Sequence, residues 1–399
     1  MKITCVGAGP AGLYFAILAK LRNQEHEVTV IERDTARQAR GWCLTFGGEN
    51  LERLHRADPE SARVMEQNMY RWREEYLHIH GQRVVHVSDF DIVNIMRARL
   101  IEILANRARE LGARVRYSEE VSSLSQLADA DLIVAADGVS SRLRGEIGTF
   151  GTEITPMGDK YIWLGTDRPF GALEFFFVKS ECGWIWAVGY GLQSEQSAFL
   201  VHCSQRTWSG LGFGTMPVAD SLDVLRELFK GPLAGYRLIG QGDEENSGRW
   251  VSPRTVTNQR WCAGNVVLVG DSAHAMHFST GLGTVMAMED AIALADSLGR
   301  HDRLDLALEA YERQRQAALK PAQDAALLSG KWFANVPRYI NLNPQAFATT
   351  LYARRSPLLA VLPPRLWCQV HRSFNEVPML RQLGTRLYPA ARAMGRRSA

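Results

Sequence analysis

The chain has 399 residues, 46% of them apolar and 22% charged, and its formal net charge is +3. These values describe a globular protein long enough for two or three structural units around a large core. They exclude the charge excess that nucleic acid selects, and no apolar run reaches the ~18 residues that a bilayer span requires.

In chain order, residues 2–6 are a short apolar run, read as a buried strand. The segment V-G-A-G-P-A-G follows at 6–12, and residues 11–21 place Leu13, Ile17, Leu18 and Leu21 on one helix face. Residues 27–31 alternate toward a second strand ending at Glu32, so the chain opens as a βαβ unit with a parallel sheet and a right-handed crossover. The apolar N-terminus has the texture of a secretory leader, but Gly7, Gly9, Pro10 and Gly12 interrupt it; no leader and a cytoplasmic location are expected. Residues 92–112 read as one long amphipathic helix carrying Ile95, Leu100, Ile103 and Leu104, and residues 115–117 and 132–136 as further strands of the first sheet.

Between residues 161 and 203 the texture changes. Y-I-W-L-G-T, L-E-F-F-F-V and G-W-I-W-A-V-G-Y are rich in β-branched and aromatic residues and are separated by turn residues, the pattern of a mixed or antiparallel sheet inserted into the first unit. Residues 266–269 return to a buried parallel strand, 284–299 to a helix, and 303–334 are strongly helical. Beyond Pro357 an irregular chain is expected. Residues 365–399 carry seven arginines and one acid, Glu376, and read as a solvated or oligomer-contacting helix; an acidic carrier, a CoA phosphate or a membrane surface are the alternatives. The fold class is therefore α/β: a three-layer Rossmann-like domain (1–155 and 255–335), an inserted mixed-sheet substrate domain (156–254) and a C-terminal helical segment with a basic tail (336–399).

Gly7, Gly9 and Gly12 fit the G-x-G-x-x-G pattern. The first allows the tight turn, the second lets backbone approach a pyrophosphate, and the third lets helix pack on strand, with Ala11 between them. Amide N–H groups at the helix start then hold phosphates. Glu32, 20 residues after Gly12 and followed by Arg33, can accept both ribose hydroxyls of an adenosine. A second glycine-rich segment, V-L-V-G-D-S-A-H-A-M-H-F-S-T-G-L-G-T, occupies 267–284. Cys5, Cys43, Cys182, Cys203, Cys262 and Cys368 form no C-x-x-C pair and read as buried thiols in a reducing compartment. His78 and His80 share a strand face but have no third ligand nearby, so no metal is expected.

These motifs resemble the fingerprints of the FAD-dependent aromatic hydroxylases, the single-component flavoprotein monooxygenases of the para-hydroxybenzoate hydroxylase type. After the first comes A-D-G-V-S-S-R at 136–142, similar to the family's Asp-Gly motif, and then G-D-S-A-H at 270–274 with G-L-G at 281–283. The resemblance implies FAD, its adenosine and phosphates at Gly7, Gly9, Ala11, Gly12, Glu32, Arg33, Arg40 and Arg97. Asp137 and Gly138 are implied to serve both FAD and the nicotinamide cofactor. Gly270, Asp271, Gly281, Leu282, Gly283 and Thr284 would hold the ribityl chain and the flavin's pyrimidine end, where a positive helix terminus stabilises the reduced, anionic ring. His277-Phe278 stands where the wider family has two prolines, and Val285 where it often has Asn. H-F-S-x-G-x-G-T, with G-W at 41–42 and K-Y-I-W-L-G-T at 160–166, is similar to a subgroup that includes salicylyl-CoA 5-hydroxylase-like proteins and protodeoxyviolaceinate monooxygenase.

The chemistry so implied is hydroxylation of an electron-rich aromatic or indolic ring with NADPH or NADH and O2, through a flavin C4a-hydroperoxide. The cofactor carries the hard chemistry, so no further catalytic residue is required. The substrate is expected to be a small aromatic compound, free or linked to CoA or a carrier, and no nucleic acid is expected. Trp42, Trp186, Tyr190, His277 and Phe278 are the candidate substrate contacts, with Arg40 and Trp42 as a gate; Trp184 lies on the same strand as Trp186. His274 reads as structural. The competing readings are an FAD-dependent reductase, a halogenase-like enzyme, for which the W-x-W-x-I-P segment is missing, and a catalytically silent FAD-binding protein.

Overall fold

The structure, a computed structural model, describes residues 1–36, 42–192, 196–240 and 248–369, without the side chains of 48, 49 and 88–91. Six strands form the first sheet in the order Cys262–Ala263, Val266–Leu268, Leu132–Ala135, Lys2–Val6, Glu27–Ile31 and Arg114–Arg116. All neighbours are parallel except the terminal Cys262–Ala263 hairpin. The central strands Lys2–Val6 and Leu132–Ala135 are Val/Ile-rich and largely buried, as strands covered on both faces must be. From Lys2–Val6 the chain proceeds to one side through Glu27–Ile31 and Arg114–Arg116, then returns to the other side through Leu132–Ala135. The order therefore reverses between Lys2–Val6 and Leu132–Ala135, and the crevice beyond their C-terminal ends is where an open parallel sheet binds ligands. Gly7–Gly12 and Ala136–Gly138 both leave the sheet there. The Pro10–Arg22 helix, buried from Pro10 to Lys20, packs against the Gly283–Arg300 and Arg97–Glu110 helices.

The second sheet has eight strands in the order Leu238–Ile239, Asp159–Thr166, Ser197–Ser204, Gly183–Gly191, Leu173–Ser180, Tyr70–Ile79, Gln82–Met96 and Cys43–Phe46. Its pairs are antiparallel apart from Leu173–Ser180 on Tyr70–Ile79. Three of these strands come from the chain before residue 100, so the mixed sheet is larger than the aromatic stretch 161–203 alone suggests. Side chains alternate between its faces. Ile162, Leu164, Phe176, Ile185, Phe199 and Val201 pack under the Val218–Leu228 helix. On the opposite face Leu77, Phe175, Phe177 and Trp186 pack against Trp332, Phe333 and Phe347 of the C-terminal helices.

Two expectations are corrected. Residues 92–96 are not the start of a helix: they finish the Gln82–Met96 strand, in register with Cys43–Phe46, and the helix begins at Arg97. Ile92, Val93 and Ile95 are β-branched, and cross-strand packing overrides the apolar spacing that continues into the helix. The chain beyond Pro357 is not wholly irregular, because Pro357–Val361 is helical and follows a Pro344–Tyr352 helix. The arginine-rich tail from residue 370 and Arg40 lie outside the described residues. The Leu304–Ala334 helix carries Pro321 inside it. No helix among the described residues is long and apolar enough to cross a membrane.

Candidate functional site

The first glycine-rich turn separates its three glycines by function. Gly7 has φ +108°, and a Cβ there would lie 2.3 Å from the Ala136 carbonyl oxygen. A Cβ on Gly12 would lie 2.1 Å from the Gly7 carbonyl oxygen. Both are glycines because helix and strands close on them. A Cβ on Gly9 would meet nothing within 4 Å, and the helix it introduces has no side-chain cap. Open space above uncapped amides is the cradle that a phosphate fills. Glu32 lies beside it, its two carboxylate oxygens accepting the N–H groups of Ala8 at 2.8 Å and Asp34 at 2.9 Å. Arg33 is exposed, with Nε 3.8 Å from Asp34.

The third glycine-rich segment meets the first. Gly270, at φ +63°, sits where a Cβ would be 3.2 Å from the Ala11 side chain and 3.1 Å from Ala287. Asp271 is exposed into the crevice, and Oδ1 lies 4.0 Å from the Cβ position of Gly283, at the start of the Gly283–Arg300 helix. That helix also starts without a side-chain cap, at Leu282, with Thr284 half-buried in its first turn and Gly281 in the left-handed region at φ +70°. The protein surrounding Asp271 pushes its carboxyl up, while His274 and Arg97 oppose the shift. Arg97 faces the same crevice: burial lowers its guanidinium, Asp271 raises it, and its buried Nε has no hydrogen-bond partner among the described residues. An open glycine, two uncapped helix N-termini, a half-buried orphaned arginine and an exposed aspartate fit a dinucleotide with a pyrophosphate and a polyol chain.

Buried polar groups fix this crevice. Asp290, fully buried, accepts from the Gly270 N–H at 2.9 Å, His274 Nε2 at 2.6 Å and Arg315 Nε at 2.8 Å. Burial alone would raise the Asp290 carboxyl, but His274 and Arg315 hold it below its ordinary value. His274 is thus an internal brace with no open side. Arg144 joins the second motif to the third, donating to the Ser272 carbonyl at 2.8 Å and the Val139 carbonyl at 2.9 Å. Asp137 accepts from the N–H groups of Arg142 and Leu143, and its buried Oδ1 has no partner among the described residues; Gly138, at φ +79°, has open space at its Cβ among them. Arg144, Asp290 and Arg315 carry no sequence motif and were not anticipated.

Beside the crevice lies a second cluster that the sequence did not announce. Asp159 Oδ2 accepts from His202 Nε2 and, at 3.0 Å, from His277 Nε2, and all three residues are buried. Their ligand atoms lie close enough together to hold a metal ion, the one such group found among the described residues. The hydrogen bonds argue otherwise. Trp186 donates its indole N–H to His202 Nδ1 at 2.9 Å, and an indole can only donate. His277 Nδ1 receives the Ser279 backbone N–H at 3.3 Å. Each Nδ1 is therefore an acceptor, each neutral ring carries its proton on Nε2, and both donate to Asp159 rather than coordinate a metal. Burial pushes the Asp159 carboxyl up, but the two imidazole donors prevail and hold it well below the carboxylate range. Burial keeps His202 neutral against the pull of Asp159.

His277 also positions the short Phe278–Thr280 turn. Its Nδ1 lies 2.7 Å from the Ser279 hydroxyl, which lies 2.7 Å from the Ser329 hydroxyl, which in turn accepts from Arg354 Nε at 3.1 Å. Phe278 packs on Tyr161 with ring centroids 4.3 Å apart. Along the same strand face, Asp159, Tyr161, Trp163 and Gly165 follow at every second residue. The Trp42 ring is seated on Gly165, where a Cβ would come within 2.3 Å of it. Trp42, Trp163, Trp72, Tyr190 and Cys43 form one aromatic cluster, in which Trp72 stacks on Tyr190 at 5.9 Å. The anticipated substrate contacts thus divide. Phe278, Trp42 and Tyr190 line the face beside the crevice, with Tyr190 nearly buried. His277 lies beneath the turn. Trp186 is core, 2% exposed, between Phe177 and Phe333, and Trp184 packs edge-on to His80. His78 binds Glu174, and His80 binds the Ile340 carbonyl.

Fold and crevice together define a dinucleotide-binding α/β protein with an eight-stranded mixed sheet beside the crevice. A family model described as "FAD binding domain" matches residues 243–326. The chain is 33% identical over 369 residues to the salicyloyl-CoA 5-hydroxylase of a Streptomyces species, covering 90% of this chain and 70% of that protein. It is 34% identical over 338 residues to the 3-hydroxy-4-methyl-anthranilyl-[aryl-carrier protein] 5-monooxygenase of Streptosporangium sibiricum, covering 84% and 90%. In fold it is similar to 2-methyl-3-hydroxypyridine-5-carboxylic acid oxygenase, with TM-score 0.69 at 22% identity over 88% of this chain and 95% of that one. The chain belongs to the FAD-dependent aromatic monooxygenases: it binds FAD and is an enzyme of that family.

Proposed function

We propose that the protein hydroxylates an electron-rich ring of an aromatic or indolic compound, using NADPH or NADH as transient reductant and O2 as oxidant. The ring would be carried on a larger group, a CoA or carrier thioester being the form favoured by the two relatives named above. The observation that carries this reading is the direct adjacency of Asp271 and the Gly281–Gly283 helix start to the Phe278–Tyr161 wall, because a flavin held by the first two would present its ring to the second.

FAD, once reduced, supplies the activation of O2 and the transfer of one oxygen atom to the ring. The chain's own groups do the rest. The Gly9 turn and Arg97 would hold the pyrophosphate, Glu32 the adenosine ribose and Asp271 the ribityl hydroxyls, with Asp137 and Gly138 beside the reductant's approach. The N-terminus of the Gly283–Arg300 helix would favour negative charge on the flavin's pyrimidine end. Phe278, Tyr161, Trp42 and the Tyr190 cluster would stack on the substrate ring and exclude water. The division into a dinucleotide domain (1–155 and 255–335), an inserted unit (156–254) and a C-terminal segment (336–399) is proposed as the folding scheme that brings these groups together.

The test is NADPH and NADH oxidation by purified protein in air against phenols, anilines, indoles and aryl-CoA thioesters. A compound that stimulates oxidation and gains one oxygen atom supports the reading. Stimulated oxidation under anaerobic conditions with a reduced product would replace it with a reductase.

A further inference from the structure

Thr45 stands where the mixed sheet meets the third glycine-rich segment. A Cβ on Gly281 would lie 3.7 Å from Thr45 Cβ and 3.9 Å from its Oγ1, so the threonine side chain reaches the turn that opens the Gly283–Arg300 helix. Thr45 is half-buried on Cys43–Phe46, the terminal strand of the mixed sheet. Side chains on that strand alternate. Phe46 joins the core around the first sheet with Leu44 packed against it, whereas Cys43 joins the Trp72–Tyr190 cluster, and Thr45 follows Cys43 on that face. A hydroxyl is thus placed between the Gly281 turn and the aromatic wall.

The strand register supplies its partner. Arg97 donates its backbone N–H to the Trp42 carbonyl at 3.0 Å, which makes Trp42 and Arg97 a hydrogen-bonded pair at the end of the antiparallel ladder. Pairs alternate, so Thr45 and Asn94, directly opposite each other, form a non-hydrogen-bonded pair, the kind whose Cα atoms approach to about 4.5 Å and whose side chains lie closest. Asn94 is buried, and its Nδ2 donates to the Gly191 carbonyl at 2.8 Å. Its Oδ1 is also buried and has no partner among the described residues. A buried acceptor left open is costly, and the Thr45 hydroxyl is the donor across the pair. With its proton given to Asn94, the Thr45 oxygen is left as an acceptor. The backbone amides of the Gly281–Gly283 turn are donors, suited to the carbonyl oxygens of a flavin's pyrimidine end. The ring N–H between those carbonyls needs an acceptor instead.

We propose that Thr45 is a binding residue for the flavin ring: its hydroxyl donates to Asn94 Oδ1 and accepts the N–H of the pyrimidine end, with Asn94 as the positioning residue behind it. The ligand chemistry is the imide edge of an isoalloxazine. This rests on the flavin lying at the Gly281–Gly283 turn, as in the reading above, and adds an acceptor to a turn of donors.

The test uses FAD-loaded wild-type, T45V, T45S and D271A proteins. FAD release on dilution is followed by flavin fluorescence, and loss of the flavin N–H by absorbance as pH is raised. Neither readout depends on whether a substrate is hydroxylated. T45V keeps the shape of the side chain and removes the hydroxyl. It is expected to weaken FAD roughly threefold to tenfold, the scale of one neutral hydrogen bond. A bond accepted from the N–H favours its protonated form, so T45V should also lower the pH at which that proton is lost, by about one unit for a tenfold effect. T45S keeps the hydroxyl and should stay near wild type in both. T45V equal to wild type overturns the proposal. So does T45S weakened as far as T45V, which would leave only methyl packing, and so does looser FAD with an unmoved N–H titration. D271A separates this proposal from the placement of the flavin. Weaker FAD in D271A beside an unchanged T45V removes Thr45 alone, whereas unchanged FAD in both removes the flavin from the turn and the proposal with it.

Discussion

Arg354 and Asp159 are the charged ends of one hydrogen-bond chain. It runs from the guanidinium through the hydroxyls of Ser329 and Ser279 to His277 Nδ1, and from His277 Nε2 to the carboxylate. Its two ends have a defined direction, because the Ser279 N–H fixes the His277 tautomer and the Arg354 guanidinium can only donate. The chain crosses from the C-terminal helices to the mixed sheet directly behind Phe278.

Asp159→Asn should therefore cost more than an isosteric change usually does. The amide can still offer one oxygen to both N–H donors, but it removes the negative charge on which the two converge. We expect about 3 kcal/mol loss of stability, typical of breaking a buried charged network, together with more hydrogen peroxide per NAD(P)H consumed. Thermal melting and the ratio of peroxide to product check both; wild-type stability would show that the tautomers are not fixed as described.

His202 gives the pH dependence. Its folded pKa is lowered by burial, so the unfolded chain binds the extra proton first as pH falls. Stability is full above the ordinary histidine value near 6.5 and declines below it, by about 1.4 kcal/mol for each unit of pKa difference. Melting temperatures measured from pH 7.5 to 5 should fall, and His202→Gln should flatten that slope. Asp159 adds a contribution of the same sign at lower pH: its lowered carboxyl stabilises the fold above about pH 4, and that stability is lost as pH drops further.

Gly9 and Gly12 should separate cofactor binding from folding. Gly9→Val places its side chain in open space, so the apoprotein should fold while FAD affinity drops by more than about a hundredfold through loss of the phosphate contacts. Gly12→Val collides with the Gly7 carbonyl and should unfold the domain. Circular dichroism and the flavin absorbance of the purified proteins distinguish them. A yellow Gly9→Val protein would remove the phosphate from that turn.

Asp271→Ala should weaken FAD by roughly tenfold to a hundredfold, the scale of one or two hydrogen bonds to a charged group. The apoprotein should lose little stability, since its carboxyl is already disfavoured by its surroundings. Fluorescence titration with FAD measures the first and thermal melting the second.

Phe278→Ala removes the ring that packs on Tyr161 and should leave FAD bound while diverting reducing equivalents to peroxide. Coupling equal to wild type would take Phe278 out of the substrate wall.

The residues legible in the sequence are those whose chemistry is set by near neighbours. Gly7, Gly9 and Gly12 announce a turn because the strand before and the helix after lie within a few residues, and Gly270–Asp271 repeats that logic. His277 was noticed for standing where the wider family has proline, but its partners Asp159 and His202 are 118 and 75 residues away, and nothing local marks them. Asp290 and Arg315 read as ordinary helix residues until the Gly270 turn is seen above them. Trp186 is expected at the substrate because the resemblance implies an aromatic strand flooring the flavin-side pocket; nothing local reveals that Phe333 of a distant helix covers its ring. The strand ending at Met96 was misread because its last apolar residues continue into the Arg97–Glu110 helix without a break.

The contact between Gly270 and Ala11 has a consequence for biosynthesis. The strand that delivers Gly270 docks on Leu132–Ala135, which docks on Lys2–Val6, so the floor of the crevice is assembled from the earliest and among the latest parts of the chain. During translation the first turn must wait, with its phosphate cradle exposed, until residue 290 has left the ribosome and Asp290 can lock the Gly270 amide. FAD capture therefore requires both parts of this floor, and chains truncated before residue 290 should be colourless.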